Sequence, residues 1–323
     1  MFDNISEGSI LKVVEIKNPG LEMLEHFRSK LNQMPHQADE VGMVGQEWLR
    51  EVLDSETLDE VCNFVESDHK ALLLRGLPLH TDVCTPTNGY LADELCVLDF
   101  DLLHFGMLYL LGIHPHAVDY ENNGKIVRNV VPVSEAIGTT SSWGSDVEFF
   151  WHTDNPNWPF LGDSDDITAC VPSFLAFTTV RNQEGASTDI ACVDHILGNL
   201  PSWVVSELQK PSYTFSAPSS NEGHSGEKRI FPLLERSEKG CCLRFDEGIV
   251  EANDQASGRA LRELSQFLKS INGISVVLQP GDFFVFKNTQ VLHRRKAFQP
   301  FVNGEARWLR RVYGSSLKFD NRL

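Results

Sequence analysis

Apolar positions recur at mostly three- and four-residue steps from about 21 to 66, with Trp48, Leu49, Val52, Leu53, Leu58 and Val61 on one stripe. That period predicts a helical stretch. The period then changes. Ala71, Leu72, Leu73 and Leu74 make a short apolar run stopped by Gly76 and Pro78, which suits a buried strand. A second helix is expected over 91–111, where Leu95, Leu98, Leu102, Phe105 and Tyr109 form one stripe and His104 lies beside it as a core or surface histidine. Beyond it the pattern is one of short runs: 126–133, the segment leading into His152, 174–181, the segment after Gly185, 242–246, 274–278 and 283–286, with a mixed stretch over 197–208. One more amphipathic helix is expected over 257–271, with Leu261, Leu264, Phe267 and Leu268 inward. Many short strands with turn punctuation and helices outside them predict an α+β chain. Its core would be a double-stranded β-helix, or jelly roll, over about 71–316, preceded by a helical elaboration over about 1–70. The length of 323 residues would allow two domains, but a single β domain decorated with helices also reaches this size and is the reading adopted.

Composition narrows the class of protein. An apolar fraction of 41% and a charged fraction of 23% belong to a globular chain rather than a disordered one. The net charge of −17 argues against a nucleic-acid partner, which calls for a basic footprint. Residues 1–8 lack a basic segment followed by an apolar one, and no apolar run is long enough to span a bilayer, so neither export nor a membrane is expected. Seven cysteines, an odd number without regular spacing, make no disulfide framework or zinc ribbon. A reducing cytoplasm is the simplest location.

The candidate chemistry centres on Phe149-Phe150-Trp151-His152-Thr153-Asp154-Asn155. In an extended segment His152 and Asp154 project to one face, which makes two-thirds of a 2-His-1-carboxylate site for non-haem Fe(II). Random placement of 11 histidines and 45 acidic residues gives about 1.5 His-x-Asp/Glu triplets, and two occur, so the triplet needs support from its context. The other, His80-Thr81-Asp82, sits in turn chemistry. His114-Pro115-His116 reads as a loop without a nearby carboxylate, and His195 as a structural histidine. The run from Asn155 to Asp166, rich in Asn, Pro, Gly and Asp, reads as a lid over the candidate metal site. Far downstream, Pro280-Gly281-Asp282 turns into an apolar strand that leads to His293, and Arg307 and Arg311 follow on one strand face, with Arg310 pointing away.

These residues together resemble the Fe(II)/2-oxoglutarate-dependent oxygenases, and within them the clavaminate-synthase-like, taurine-dioxygenase-related branch of amino-acid hydroxylases. The likeness rests on Trp151-His152-Thr153-Asp154, Gly185-Ala186-Ser187-Thr188, the stretch from Gly281 to His293, and Arg307-Trp308-Leu309-Arg310-Arg311-Val312. It extends more faintly to Leu74-Arg75-Gly76-Leu77-Pro78. The resemblance implies that His152, Asp154 and His293 ligate Fe(II), that Thr188 and Arg307 hold the distal carboxylate of 2-oxoglutarate, and that Arg311 takes the α-carboxylate of an amino-acid substrate. Asp246 and Glu247 stand about where arginine-hydroxylating relatives place acidic side-chain contacts, so a cationic amino acid is the expected substrate. Two departures from the pattern stand out: many members have glutamate where Asp154 stands, and the segment after Asp154 lacks the usual Ala-Phe-His continuation.

The implied reaction consumes O2, decarboxylates 2-oxoglutarate to succinate and CO2, and hydroxylates an unactivated C–H. With Asp154 present, no ligand position is reserved for chloride, so halogenation is disfavoured. Three alternatives accompany this reading. One is the same chemistry on a carrier-bound or peptide natural-product intermediate, as hydroxylation, desaturation or cyclisation. The others are a non-catalytic metal-binding jelly roll and a zinc hydrolase using the same triad.

Overall fold

A computed structural model describes residues 7–17, 21–31, 37–77, 79, 81–161, 166–237, 240–301 and 304–316. Two β-sheets lie face to face. The larger has seven strands in the order Leu11–Glu15, Ala71–Arg75, Phe283–Lys287, Phe174–Arg181, Trp308–Ser316 and Ile113–His116, with Arg128–Val130 also paired to Trp308–Ser316. The smaller has four, ordered Ile274–Val277, Ser187–Cys192, Val291–Arg295 and Phe149–His152. All pairings in both are antiparallel except Leu11–Glu15 with Ala71–Arg75. From Phe149 onward the chain passes between the sheets, so residues distant in sequence meet at one end of the sandwich.

Strand side chains alternate between faces, and in the larger sheet both faces are covered. Leu73, Phe284, Phe286 and Leu175 enter the layer between the sheets with Ile190 and Val291 from the smaller one. Leu72, Leu74, Phe283 and Val285 turn outward onto the helices Ala38–Val52 and Leu98–Leu110. On the far side of the smaller sheet, Trp151, Ala191 and Leu292 pack with the helix Gln255–Ser270 and with two small sheets.

The expected helix over 21–66 is divided into Leu24–Leu31, Ala38–Val52 and Ser55–Cys62. Leu53 leaves the helical region, and Asp54 caps the next helix by accepting from the Thr57 N–H at 2.8 Å. The expected helix over 91–111 opens as a 3-10 turn, Glu94–Val97, and its main part is buried almost all round rather than on one stripe. It lies between the larger sheet and the helix Ala38–Val52, which leaves it no solvent face. His114-Pro115-His116, expected as a loop, is a strand. It forms the sheet edge, where a proline is tolerated within a strand. The strand expected over 126–133 shortens to Arg128–Val130. Residues 155–161 of the expected lid are packed in: Trp158 stacks on Tyr120 at 4.5 Å, and both Trp158 and Phe160 are buried. Residues 162–165 of that stretch, and His80, lie outside the described residues. The turn before the strand Phe283–Lys287 needs glycine twice over, because Gly281 has φ +83° and a Cβ there would fall 1.7 Å from the Leu77 carbonyl oxygen.

Candidate active site

His152 and His293 are direct cross-strand partners, the last residue of Phe149–His152 facing the centre of Val291–Arg295. Such partners point their side chains to one face, and here the imidazole centroids are 4.0 Å apart. Asp154 comes two residues later, past the strand end, and is held by other means. Thr153, fully buried, turns the opposite way and ties the segment to the strand end at Leu243 and Phe245, its N–H donating to the Phe245 carbonyl and its hydroxyl to that of Leu243. Asn288 then takes the place of a neighbouring strand. Its Oδ1 accepts from the Asp154 N–H at 3.1 Å, and its Nδ2 donates to the Asp154 carbonyl at 3.2 Å and to that of Pro172 at 3.0 Å.

Asp154 Oδ1 stands 3.3 Å from Nε2 of His152 and 3.3 Å from Nε2 of His293. Among the described residues this is the one group of three such side chains whose ligand atoms lie within 4.8 Å of one another. The donor set fits a divalent iron. His152 Nδ1 is 2.7 Å from the Phe150 carbonyl oxygen, so Nδ1 carries the proton and the Nε2 lone pair faces the cluster. Burial, the neighbouring His152 and Arg311 push His293 down to about 4 against the pull of Asp154, which keeps it neutral as a ligand must be. Burial alone would raise the Asp154 carboxyl. The Arg311 guanidinium and the bonds to both histidines outweigh it and hold the group well below the usual carboxylate range.

Thr188, Arg307 and Arg311 line the same cleft, which opens to solvent. Thr188 faces inward from Ser187–Cys192, and its hydroxyl accepts from Arg307 Nη2 at 3.2 Å. Arg307 is buried, its Nε has no partner among the described residues, and burial with the nearby Arg295 lowers it to about 9 despite Glu184. A buried guanidinium with an idle donor, facing a cleft, fits an incoming carboxylate such as the distal one of 2-oxoglutarate. Glu184 fixes this arm by accepting from the backbone N–H of Arg307 at 2.9 Å and of Phe301 at 2.9 Å. Arg310 turns to the other face and pairs with Asp101 and Glu94.

Arg311 donates through Nη1 to Asp154 Oδ2 at 3.0 Å and pairs with Glu121 through Nη2. The Tyr313 hydroxyl reaches Asp154 Oδ2 at 3.1 Å and Glu121 Oε1 at 3.2 Å. Glu121 and Tyr313 escaped the sequence reading. Tyr313 had a signal, because it shares the strand face of Arg311 at two-residue spacing. Glu121 had none, since it stands in a connection between strands whose course only packing defines. Asp246 forms an isolated bridge with His152, whereas Glu247 is exposed and pairs with Lys269 at 2.8 Å, away from the cleft. His195 is exposed on the helix Val193–Gly198 and takes no part.

Two imidazoles and a carboxylate brought together, with a buried arginine in reach, match the site of a mononuclear non-haem iron oxygenase that uses a carboxylate cosubstrate. Comparison with known proteins agrees. The pattern of the taurine catabolism dioxygenase TauD, TfdA family matches residues 41–313, and the chain belongs to this family. It is 27% identical over 249 residues to an L-asparagine oxygenase of Streptomyces coelicolor, covering 75% of this chain and 70% of that one. It is 22% identical over 203 residues to an L-lysine 3-hydroxylase of Catenulispora acidiphila, covering 61% and 54%. A solved asparagine oxygenase, in complex with Fe(II), 2S,3S-3-hydroxyasparagine and succinate, superposes with a TM-score of 0.77 at 24% identity over 93% of this chain and 92% of that one. The protein is an Fe(II)- and 2-oxoglutarate-dependent oxygenase. No helix among the described residues is long and apolar enough to cross a membrane.

Proposed function

We propose that the protein hydroxylates an unactivated C–H of a free L-amino acid of basic type, while 2-oxoglutarate is converted to succinate and CO2. The observation that carries this reading is the pair of the buried Arg311 with the largely buried Glu121 next to Asp154. A guanidinium fork matches a carboxylate and a carboxylate accepts an ammonium, so the pair offers both ends of an α-amino acid. A zwitterion seated there gives each buried charge a new partner, so neither is left bare. Asp246 supports a cationic side chain. As the bridge partner of His152 it points to the same face, and its Oδ1 is fixed by the Gly248 N–H at 2.8 Å.

In this reading His152, Asp154 and His293 hold the iron, and Thr188 and Arg307 hold the distal carboxylate of 2-oxoglutarate. The iron with 2-oxoglutarate and O2 supplies the oxidant. Arg311 and Glu121 fix the backbone end of the substrate, and an apolar wall of the buried Phe177 and Leu309 with the half-buried Phe149 limits access of bulk water to the reacting carbon. The two sheets are read as a jelly roll in a single oxygenase domain, with the helical segment before residue 71 as its elaboration. The protein is taken as cytoplasmic, with no nucleic-acid partner.

The test is succinate formation by anaerobically purified protein given Fe(II), 2-oxoglutarate, O2 and each free L-amino acid in turn, with mass spectrometry of the amine. A basic amino acid that raises succinate and gains about 16 mass units for one inserted oxygen is expected. The Asp246→Ala variant should weaken that amino acid far more than 2-oxoglutarate. Succinate with no altered amine would move the substrate to a carrier-bound or peptide intermediate. No succinate from iron-loaded protein would defeat the enzymatic reading.

A further inference from the structure

The two oxygens of Asp154 have different surroundings. Oδ1 stands between both histidine Nε2 atoms, at 3.3 Å from each, and is the oxygen that faces the metal position. Oδ2 faces away from it and receives two donors, Arg311 Nη1 at 3.0 Å and the Tyr313 hydroxyl at 3.1 Å. The same hydroxyl lies 3.2 and 3.3 Å from the two oxygens of Glu121. A phenol has one proton to give, so Tyr313 can serve only one of the two carboxylates at a time.

We propose that Tyr313 is a positioning residue that keeps Asp154 bound to the metal through Oδ1 alone, and that this role falls to it once the amino-acid site fills. The second clause rests on the reading of Arg311 and Glu121 as the substrate's partners. The reason is one of coordination. Three protein atoms and the two donors of a 2-oxo acid leave one position on an octahedral ion, and a second bond from Asp154 would take it. While the amino-acid site is empty, Arg311 holds Oδ2 and Tyr313 divides its one proton between Oδ2 and Glu121. When a substrate carboxylate draws Arg311 away, Oδ2 loses its charged donor. The substrate ammonium simultaneously engages Glu121, which stops competing for the phenolic proton. Tyr313 is then the donor left on Oδ2, and the open position survives the arrival of the substrate. Tyr313 is buried and stacked under the Arg311 guanidinium at 4.2 Å, so its ring has little freedom to leave this place.

The experiment compares the wild type with Tyr313→Phe, Arg311→Met and the double variant, each crystallised with Mn(II) and 2-oxoglutarate, and needs no substrate. Tyr313→Phe keeps Arg311 on Oδ2, so Asp154 should remain attached through one oxygen, whereas Arg311→Met leaves only the phenol shared with Glu121 and should fall between that variant and the double one. The double variant should bring both oxygens into bonding distance of Mn(II). A double variant with the wild-type arrangement overturns the proposal. A second arm adds the amino acid found by turnover to wild type and Tyr313→Phe. The phenylalanine variant should bind 2-oxoglutarate within about twofold of wild type but form succinate in clear excess over hydroxylated amine. Tight coupling in Tyr313→Phe overturns the substrate-linked clause. If both Asp154 oxygens bind in the double variant while no amino acid alters any protein, the role of Tyr313 stands and the amino-acid reading falls. The phenylalanine keeps the ring packing, and a melting temperature near the wild-type value excludes misfolding as the cause.

Discussion

Asn288 offers the sharpest test of how the proposed metal ligand Asp154 is held. Its side chain makes the three hydrogen bonds that join Asp154 and Pro172 to the turn before His293, and it is fully buried. Asn288→Ala would strip partners from the Asp154 N–H, the Asp154 carbonyl and the Pro172 carbonyl. Each buried group left dry costs about 1–3 kcal/mol, and water entering the space recovers part of that, so a net loss of about 2–4 kcal/mol is expected. Asn288→Asp keeps the shape but sets an oxygen where Nδ2 now meets two carbonyl oxygens, and it should lose at least as much. Urea denaturation of the metal-free protein measures the stability loss. Mn(II) titration measures the consequence for the site, where removing a supporting partner should weaken affinity about 10–100-fold. Wild-type urea midpoints together with wild-type Mn(II) affinity in both variants would refute the claim that Asn288 stands in for a strand at Asp154.

Three further outcomes are expected. His104 is fully buried, both ring nitrogens lack partners among the described residues, and burial with the nearby Arg310 lowers it to about 3 from an ordinary 6.5. Below pH 6.5 the unfolded chain therefore takes up a proton that the folded one refuses, and stability falls toward pH 3 by at most about 1.4 kcal/mol per pH unit. His104→Leu should flatten that part of the urea-midpoint profile, and an unchanged slope would remove the argument. Arg307→Lys loses the planar fork and should raise the Michaelis constant for 2-oxoglutarate about tenfold or more, with the amino-acid constant little changed; equal shifts in both would contradict the assignment. Gly45→Ala places a Cβ 2.1 Å from the Leu102 carbonyl oxygen and 3.0 Å from Gly106 Cα, so the two helices must part. A loss of at least about 1–3 kcal/mol should appear in thermal denaturation, and an unchanged melting temperature would show that the helices can separate freely.

What could be read from the chain was whatever depends on neighbours in sequence. Alternation along an extended backbone predicts a shared face for His152 with Asp154, and for Arg307 with Arg311, from residue number alone, and all four line the cleft although Asp154 and Arg307 lie just outside the strands. The strands Phe174–Arg181 and Phe283–Lys287 were visible for the same reason, as apolar runs between turn residues. Elements whose conformation depends on distant partners were not. His114-Pro115-His116 is a strand because the end of Trp308–Ser316 lies beside it, and 155–161 is packed down because Tyr120 offers Trp158 a ring to stack on. The site divides in the same way. The residue types of the candidate ligand set were legible from spacing, but the pairing of His152 with His293, the hold of Asn288 on Asp154 and the arrival of Glu121 beside Arg311 join segments more than a hundred residues apart. Local sequence sets which way a side chain points; only the packing of the two sheets determines what it points at.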